Sequence, residues 1–379
     1  MLVVDDRFDS VSNTPFFGSA PTALLNGFRL LGVDKIKVHV ICCVKSEMPA
    51  PSQLADNIFY HQIVLPHWTY LRSLHAGPVL GVRKLLSQIR PDLVHSHGVE
   101  RWCAIAGSLC GFPAVLTIHG HLRLILQKAR MRPFFYWHLQ MLLGEWAMRR
   151  HRGVICISSH IQKSLRGKVR QTWLIPNAIR DEFINTPASR PRTGCRIPCI
   201  LVIGTITENK RPLELLKMFA DLNSKGAKFT VRFIGKLNKT DKYGAAFVSK
   251  IQERKIRLFA EHLDPIDSTA LIAEMDNADA LVHFPLEEAF GLVVAEALSR
   301  ELKVFASEVG GIIDICRSIP GAELVPPADF RSLSENLYNW LASGHPKSPR
   351  SALIARSRYC TNDIAAKTLD AYHQTLDLN

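Results

Sequence analysis

Apolar residues in this chain fall mostly in short unbroken runs, separated by polar turns and by longer stretches in which they recur every three or four positions. The runs at 1–5, 36–43, 92–97, 114–118, 153–158 and 173–179 predict buried strands, as do those at 200–204, 228–234, 280–284 and 304–306. Helical spacing appears at 21–31, 80–90, 212–222 and 357–378, and a helix starting at Pro133 would be broadly apolar. Strand and helix thus alternate twice over, on either side of a segment at 185–198 rich in Pro and basic residues that has no apolar period. This grammar predicts an α/β protein of two doubly wound parallel-sheet domains, Rossmann-like and facing one cleft.

Candidate chemistry concentrates at the carboxyl ends of the predicted strands. Residues 285–298 read Pro-Leu-Glu-Glu-Ala-Phe-Gly-Leu-Val-Val-Ala-Glu-Ala-Leu, a bend at Gly291 between a strand and a helix. The amides of Phe290, Gly291 and Leu292 would stand at that helix N-terminus, where unpaired N–H groups favour an anion. Glu288 and Glu296 would grip the two ends of a long polar ligand; read blandly, they are a helix-start charge and a solvated helix-face carboxylate. A second strand-to-helix loop, 204–212, carries Thr205, Lys210 and Arg211 and offers another anion site. Four histidines, His95, His97, His119 and His121, fall at the ends of two successive strands and point toward a shared cleft; metal binding is disfavoured because no carboxylate or Cys is interleaved. Gly18 follows the first strand in a turn and reads as turn punctuation.

The chain has 379 residues, enough for two domains, and its 47% hydrophobic and 21% charged residues are those of a globular protein. No run of eighteen uncharged apolar residues occurs, and the acidic, strand-like N-terminus does not read as a signal peptide, so a cytoplasmic protein is expected. Nine Cys without a Cys-x-x-Cys pair read as reduced, mostly buried thiols. The net charge of +13 draws the chain toward polyanions. No nucleic-acid signature accompanies it, so no nucleic-acid partner is expected. An anionic membrane surface is the preferred partner; the basic ends of the 127–152 segment are candidates to meet it, and the bland reading of that segment is a core helix.

Residues 285–298 resemble the Glu-x7-Glu motif of retaining GT-B glycosyltransferases, in particular glycosyltransferase family 4, with Leu286 in place of the usual Ser. The resemblance extends over nearly the whole chain. Lys210 matches the Lys of the family's Gly-Arg-x-x-x-x-Lys-Gly loop, while Thr205 replaces the Arg, so that either Arg211 supplies a second cation or the enzyme is slow. Pro176-Asn177-Ala178-Ile179-Arg180 stands where Pro-Asn-Gly-Val-Asp is usual, 310–314 resembles Gly-Gly-x-x-Glu, and of the usual Gly-rich N-terminal turn only Gly18 remains. His119 falls in a Thr-x-His-Gly segment.

The resemblance implies a GT-B fold: an acceptor-side domain over 1–186, a donor-binding domain over 199–350, and a C-terminal helix near 357–379 packing back on the first domain. It implies a transferase moving a sugar from a UDP- or GDP-sugar to a saccharide or lipid-linked hydroxyl, in envelope polysaccharide or lipopolysaccharide synthesis. His119, Lys210 and Glu288 would be catalytic. Gly18, Thr205, Lys210, Arg211, Glu288, Phe290, Gly291, Leu292 and Glu296 would bind the donor, with Lys210 on the diphosphate and Glu296 on the ribose. No metal or cofactor is implied. Two alternatives stay open: a glycoside hydrolase, which also needs two carboxylates but gives Lys210 no role, and a non-catalytic nucleotide-sugar binding protein.

Overall fold

The computed structural model describes residues 2–3, 7–9, 14–66, 74–99, 102–120, 134–187 and 197–378. The chain divides into two units, Met1–Arg180 with Tyr359–Asn379, and Asp181–Arg358.

The first unit carries β1 (Leu2–Val3), β2 (Arg7–Asp9), β3 (Thr14–Phe16), β4 (Val38–Val44), β5 (Gln53–Ala55), β6 (Ile58–Val64), β7 (Val94–His97), β8 (Ala114–Ile118), β9 (Gly153–Cys156) and β10 (Thr172–Leu174). Eight of these form one sheet in the order β10-β9-β8-β7-β1-β4-β6-β5, and β2 pairs with β3 in a hairpin. Every pairing in the large sheet is parallel except β5 with β6. β7, β8 and β9 are buried at every position, as expected of strands covered by helices on both faces. The helix Ser19–Leu31 begins at Gly18, whose φ of 90° suits the residue without a Cβ. It lies against the helix Thr361–Asp377 so closely that a Cβ on Gly27 would collide with the Thr361 carbonyl oxygen.

The second unit carries β11 (Cys199–Ile203), β12 (Thr230–Ile234), β13 (Ala260–Leu263), β14 (Ala280–His283), β15 (Lys303–Ser307) and β16 (Ala322–Val325). They form one wholly parallel sheet in the order β13-β12-β11-β14-β15-β16. That is a doubly wound order, with its reversal between β11 and β14, and the crevice beyond the carboxyl ends of those two strands is where such sheets bind ligands. The core is aromatic: Phe219, Phe233 and Phe247 are wholly buried and meet edge to face, and Phe305 meets Trp340 in the same way.

The unit begins at Asp181 because a buried ion pair ties the incoming chain to it. Arg300 grips Asp276 through two hydrogen bonds of 2.6 and 2.7 Å. Its remaining donors reach the carbonyls of Phe183 and Thr186 at 3.3 and 2.6 Å. Residues 188–196 of the expected linker, with Cys195, lie outside the described residues. The C-terminal helical region differs from the single helix expected over 357–378. Extended backbone at Cys360 separates Pro349–Arg358, in the second unit, from Thr361–Asp377, in the first. Among the described residues no helix is long and apolar enough to cross a membrane.

Candidate active site

In the second unit, two loops leave the strands that flank the reversal: 204–211 after β11, and 284–291 after β14. Asn209 stitches them together. Its carbonyl accepts from the Leu286 amide at 2.8 Å, its side-chain NH2 donates to the Glu287 carbonyl at 3.1 Å, and its side-chain oxygen accepts from the Glu287 amide at 3.2 Å. From the other side, the Ser307 hydroxyl donates to the Pro285 carbonyl at 2.8 Å and the Gly311 amide to the Glu288 carbonyl at 3.1 Å. A Cβ on Gly310 would collide with that same carbonyl oxygen, so the two glycines of 310–311 form a seat into which the Glu288 backbone fits. The bend at Gly291 has φ 94°, a left-handed conformation that starts the helix Leu292–Ser299.

This cage brings Lys210 and Glu288 together as an ion pair on one carboxylate oxygen, Oε2. His283, the last residue of β14, reaches the same oxygen through Nε2 at 3.1 Å. Burial pushes the Glu288 carboxyl up, but the His283 hydrogen bond and the Lys210 charge outweigh it and hold the group at about 2. Burial and the nearby Lys210 charge together keep the His283 imidazole below its ordinary value. The arrangement is a fixed carboxylate beside a cation whose side chain retains 27% of its exposure.

The other donor-side candidates are distributed around this pair. Phe290 is buried, Leu292 half-buried and Thr205 exposed. Glu296 is buried within its helix at 3% exposure, so it is neither a solvated helix-face charge nor openly displayed beside Glu288. Arg211 does not join the Lys210–Glu288 pair. Its guanidinium lies over the Phe330 ring at 4.4 Å and the Phe284 ring at 5.8 Å, and its buried Nη1 has no hydrogen-bond partner among the described residues. The reason is local: Arg211 takes a left-handed φ of 57° just before Pro212, the first residue of the following helix.

In the first unit three of the four expected histidines come together, His95, His97 and His119. His97 Nδ1 and His119 Nε2 are 2.8 Å apart with stacked rings, at the ends of β7 and β8. His95, two residues earlier on the same face of β7 and with its ring centroid 4.2 Å from that of His97, lies deeper, wholly buried between the Tyr372 hydroxyl and the Thr117 hydroxyl, each at 2.6 Å. His121 lies outside the described residues. Burial holds His119 down to about 4 and His95 and His97 well below their ordinary value. These imidazoles are therefore neutral near pH 7. His95, His97, His119, Thr117 and Asn177 line a pocket whose other walls are largely apolar, and the buried His97 Nε2 has no hydrogen-bond partner among the described residues.

Asn209, His283 and Ser307 are the site residues that sequence reasoning missed. His283 sits in an apolar strand and reads as core, whereas Asn209 next to Lys210 could have been found from the polar character of its loop.

Comparison with known proteins decides the family. The family model Glycosyltransferase Family 4 matches residues 25–183, and Glycosyl transferases group 1 matches residues 196–358. The chain is a GT-B glycosyltransferase of family 4/group 1. The D-inositol 3-phosphate glycosyltransferase of Arthrobacter sp. (strain FB24) is 26% identical over 376 residues, covering 92% of this chain and 88% of that protein. Among solved structures, this glycosyltransferase is similar to the sucrose-phosphate synthase from Thermosynechococcus elongatus, with a TM-score of 0.76 at 16% identity, covering 100% of this chain and 99% of that one. Anabaena HepE, solved in complex with UDP-glucose, gives a TM-score of 0.69 at 14% identity, with coverage of 100% and 99%. At these identities the two structures establish the fold.

Proposed function

We propose that this glycosyltransferase takes its sugar from a nucleotide diphosphate donor, of the UDP- or GDP- type, and transfers it with retention to a hydroxyl of a saccharide or lipid-linked acceptor. The observation that carries the reading is the Lys210–Glu288 pair at the reversal of the second sheet, beside the helix that starts at Leu292. Charge develops on the leaving diphosphate, so Lys210 and the amides of Phe290, Gly291 and Leu292 act as preorganised stabilisers. Glu288 holds the transferred sugar, Glu296 the ribose, and Thr205 and Gly18 line the donor. His119, neutral and donating or accepting one hydrogen bond, is the first unit's candidate catalytic residue. The related HepE binds UDP-glucose, which supports the donor class.

The proton of the acceptor hydroxyl goes to a donor phosphate oxygen on the same face, with no metal required. A hydrolase reading loses ground here, because it gives no role to Lys210, which is paired with Glu288. The basic excess of +13 suits attachment to an anionic membrane surface where envelope polysaccharide or lipopolysaccharide is built. Nucleotide release is measured with UDP- and GDP-sugars, with and without acceptor, in magnesium and in excess EDTA. Acceptor-dependent release that survives EDTA is expected, and a strict magnesium requirement overturns the metal-independent mechanism.

A further inference from the structure

Lys210 and His283 share one oxygen of Glu288, and they differ in what they are free to do. The Lys210 side chain is 27% exposed and its stem runs over Gly204, with Cδ and Cε 3.8 Å from where a Cβ on that glycine would stand. Its four-carbon stem lets the ammonium turn to another anion. The His283 ring is 3% exposed, closed in at the end of β14. A carboxylate only accepts, so the His283 nitrogen facing it carries the proton and donates.

On the donor reading above, a diphosphate arriving at Lys210 competes with Glu288 for the ammonium. Without a second donor, Glu288 would then be left partly buried and short of a partner, at the moment it is needed to hold the transferred sugar. We propose that His283 is a positioning residue: its Nε2–H keeps the Glu288 carboxylate in place while Lys210 turns to the donor diphosphate. The Asn209 clasp fixes the backbone of Glu287, and the Gly310–Gly311 seat that of Glu288. His283 fixes its side chain, the one part of the residue that those contacts leave adjustable.

The test uses the full chain with three substitutions. His283→Met fills the buried site without an N–H, His283→Gln restores an N–H donor, and Glu288→Gln removes the ionised acceptor. Unfolding is first measured for His283→Met, Glu288→Gln and the double variant, which reads the His283–Glu288 bond without any sugar donor. A coupling of roughly tenfold in the folding equilibrium is expected, as for a hydrogen bond to a charged group. Steady-state kinetics follow: His283→Met lowers kcat/KM about 10- to 100-fold, a size seen when a site is slightly misplaced. Most of the loss falls in kcat, and His283→Gln recovers all but roughly threefold, which is less than 1 kcal/mol by the rate relation. A purely packing role would leave Gln no better than Met.

Should the Met variant not fold, His283→Asn, whose amide falls short of Glu288, takes its place. A coupling near unity overturns the bond. A real coupling with kcat/KM of the Met variant within twofold of the parent overturns the positioning role. If the parent turns over no UDP- or GDP-sugar, the donor reading fails while the unfolding cycle still decides whether His283 holds Glu288.

Discussion

Both units reverse their strand order at the same place, β6-β4-β1-β7 in one and β13-β12-β11-β14 in the other, yet the strand ends next to the reversal carry opposite chemistry. Beside β7 and β8 in the first unit stand imidazoles that burial keeps neutral, with hydroxyls and one another as partners. Beside β11 and β14 in the second stands an ion pair, caged by Asn209, Ser307 and the 310–311 glycines. The difference shows what a buried charge requires. Glu288 stays ionised because a cation and a ring N–H meet the same oxygen. Burial takes the charge from His95, His97 and His119, none of which has a carboxylate as a hydrogen-bond partner among the described residues. The supports follow suit: the second unit ties its entering chain with Arg300 and Asp276, whereas the first seats its final helix with the neutral pair Tyr372–His95.

The largest effect that would sharpen this contrast is on stability. Arg300→Met leaves Asp276 buried without its guanidinium and is expected to cost about 3–5 kcal/mol in urea unfolding. Tyr372→Phe strips a hydroxyl from His95 and is expected to cost about 1–3 kcal/mol. Equal costs would dissolve the distinction.

Acid separates the units next. Buried histidines with lowered values bind fewer protons folded than unfolded, so their contribution falls as pH drops from about 6.5 toward about 4. For His151 alone, 1% exposed, the loss is roughly 3 kcal/mol. Glu288 acts later: its stabilisation is complete above the ordinary carboxyl value of 4.5 and is lost as pH falls toward about 2. Hydrogen exchange near pH 5 should show the first unit, where burial lowers His95, His97, His119 and His151, losing more protection than the second, where it lowers His283. Equal loss would contradict the assignment of charge.

A smaller effect tests the seat of Glu288. Gly310→Ala places a Cβ against the Glu288 carbonyl and is expected to lower kcat/KM about 100-fold. Gly111→Ala, in the first unit at φ 84° with nothing within 4 Å, should cost only backbone strain of about 1 kcal/mol and leave kinetics unchanged. The smallest change is Thr205→Arg, which restores the family cation at an exposed position and should hold or raise kcat/KM with the UDP- or GDP-sugar donor.

Much of the second unit was legible in the sequence, because its strands are unbroken apolar runs between turn signals. β14 and the helix Leu292–Ser299 lie where the 280–298 pattern puts them, and Pro212 does begin a helix. β5 and β6 escape such a reading because their runs contain Gln53, His61 and Gln62, half-buried or exposed positions that break the apolar signal. Loop partners are the hardest to see. Arg211 next to Lys210 suggests a paired clamp, but the left-handed turn before Pro212 sends its guanidinium onto Phe330. His95 resembles its neighbour His97 in sequence and shares its face of β7, and only the arrival of Tyr372 from a distant helix places it in the core.

The most direct measurement is the rate of Lys210→Ala, shown to be folded, with the UDP- or GDP-sugar that the parent uses. Loss of the cation beside the leaving diphosphate is expected to raise the barrier by about 2–4 kcal/mol, as loss of one electrostatic stabiliser does. Activity within about tenfold of the parent, only about 1.4 kcal/mol, would contradict the placement of the donor at the second unit's ion pair.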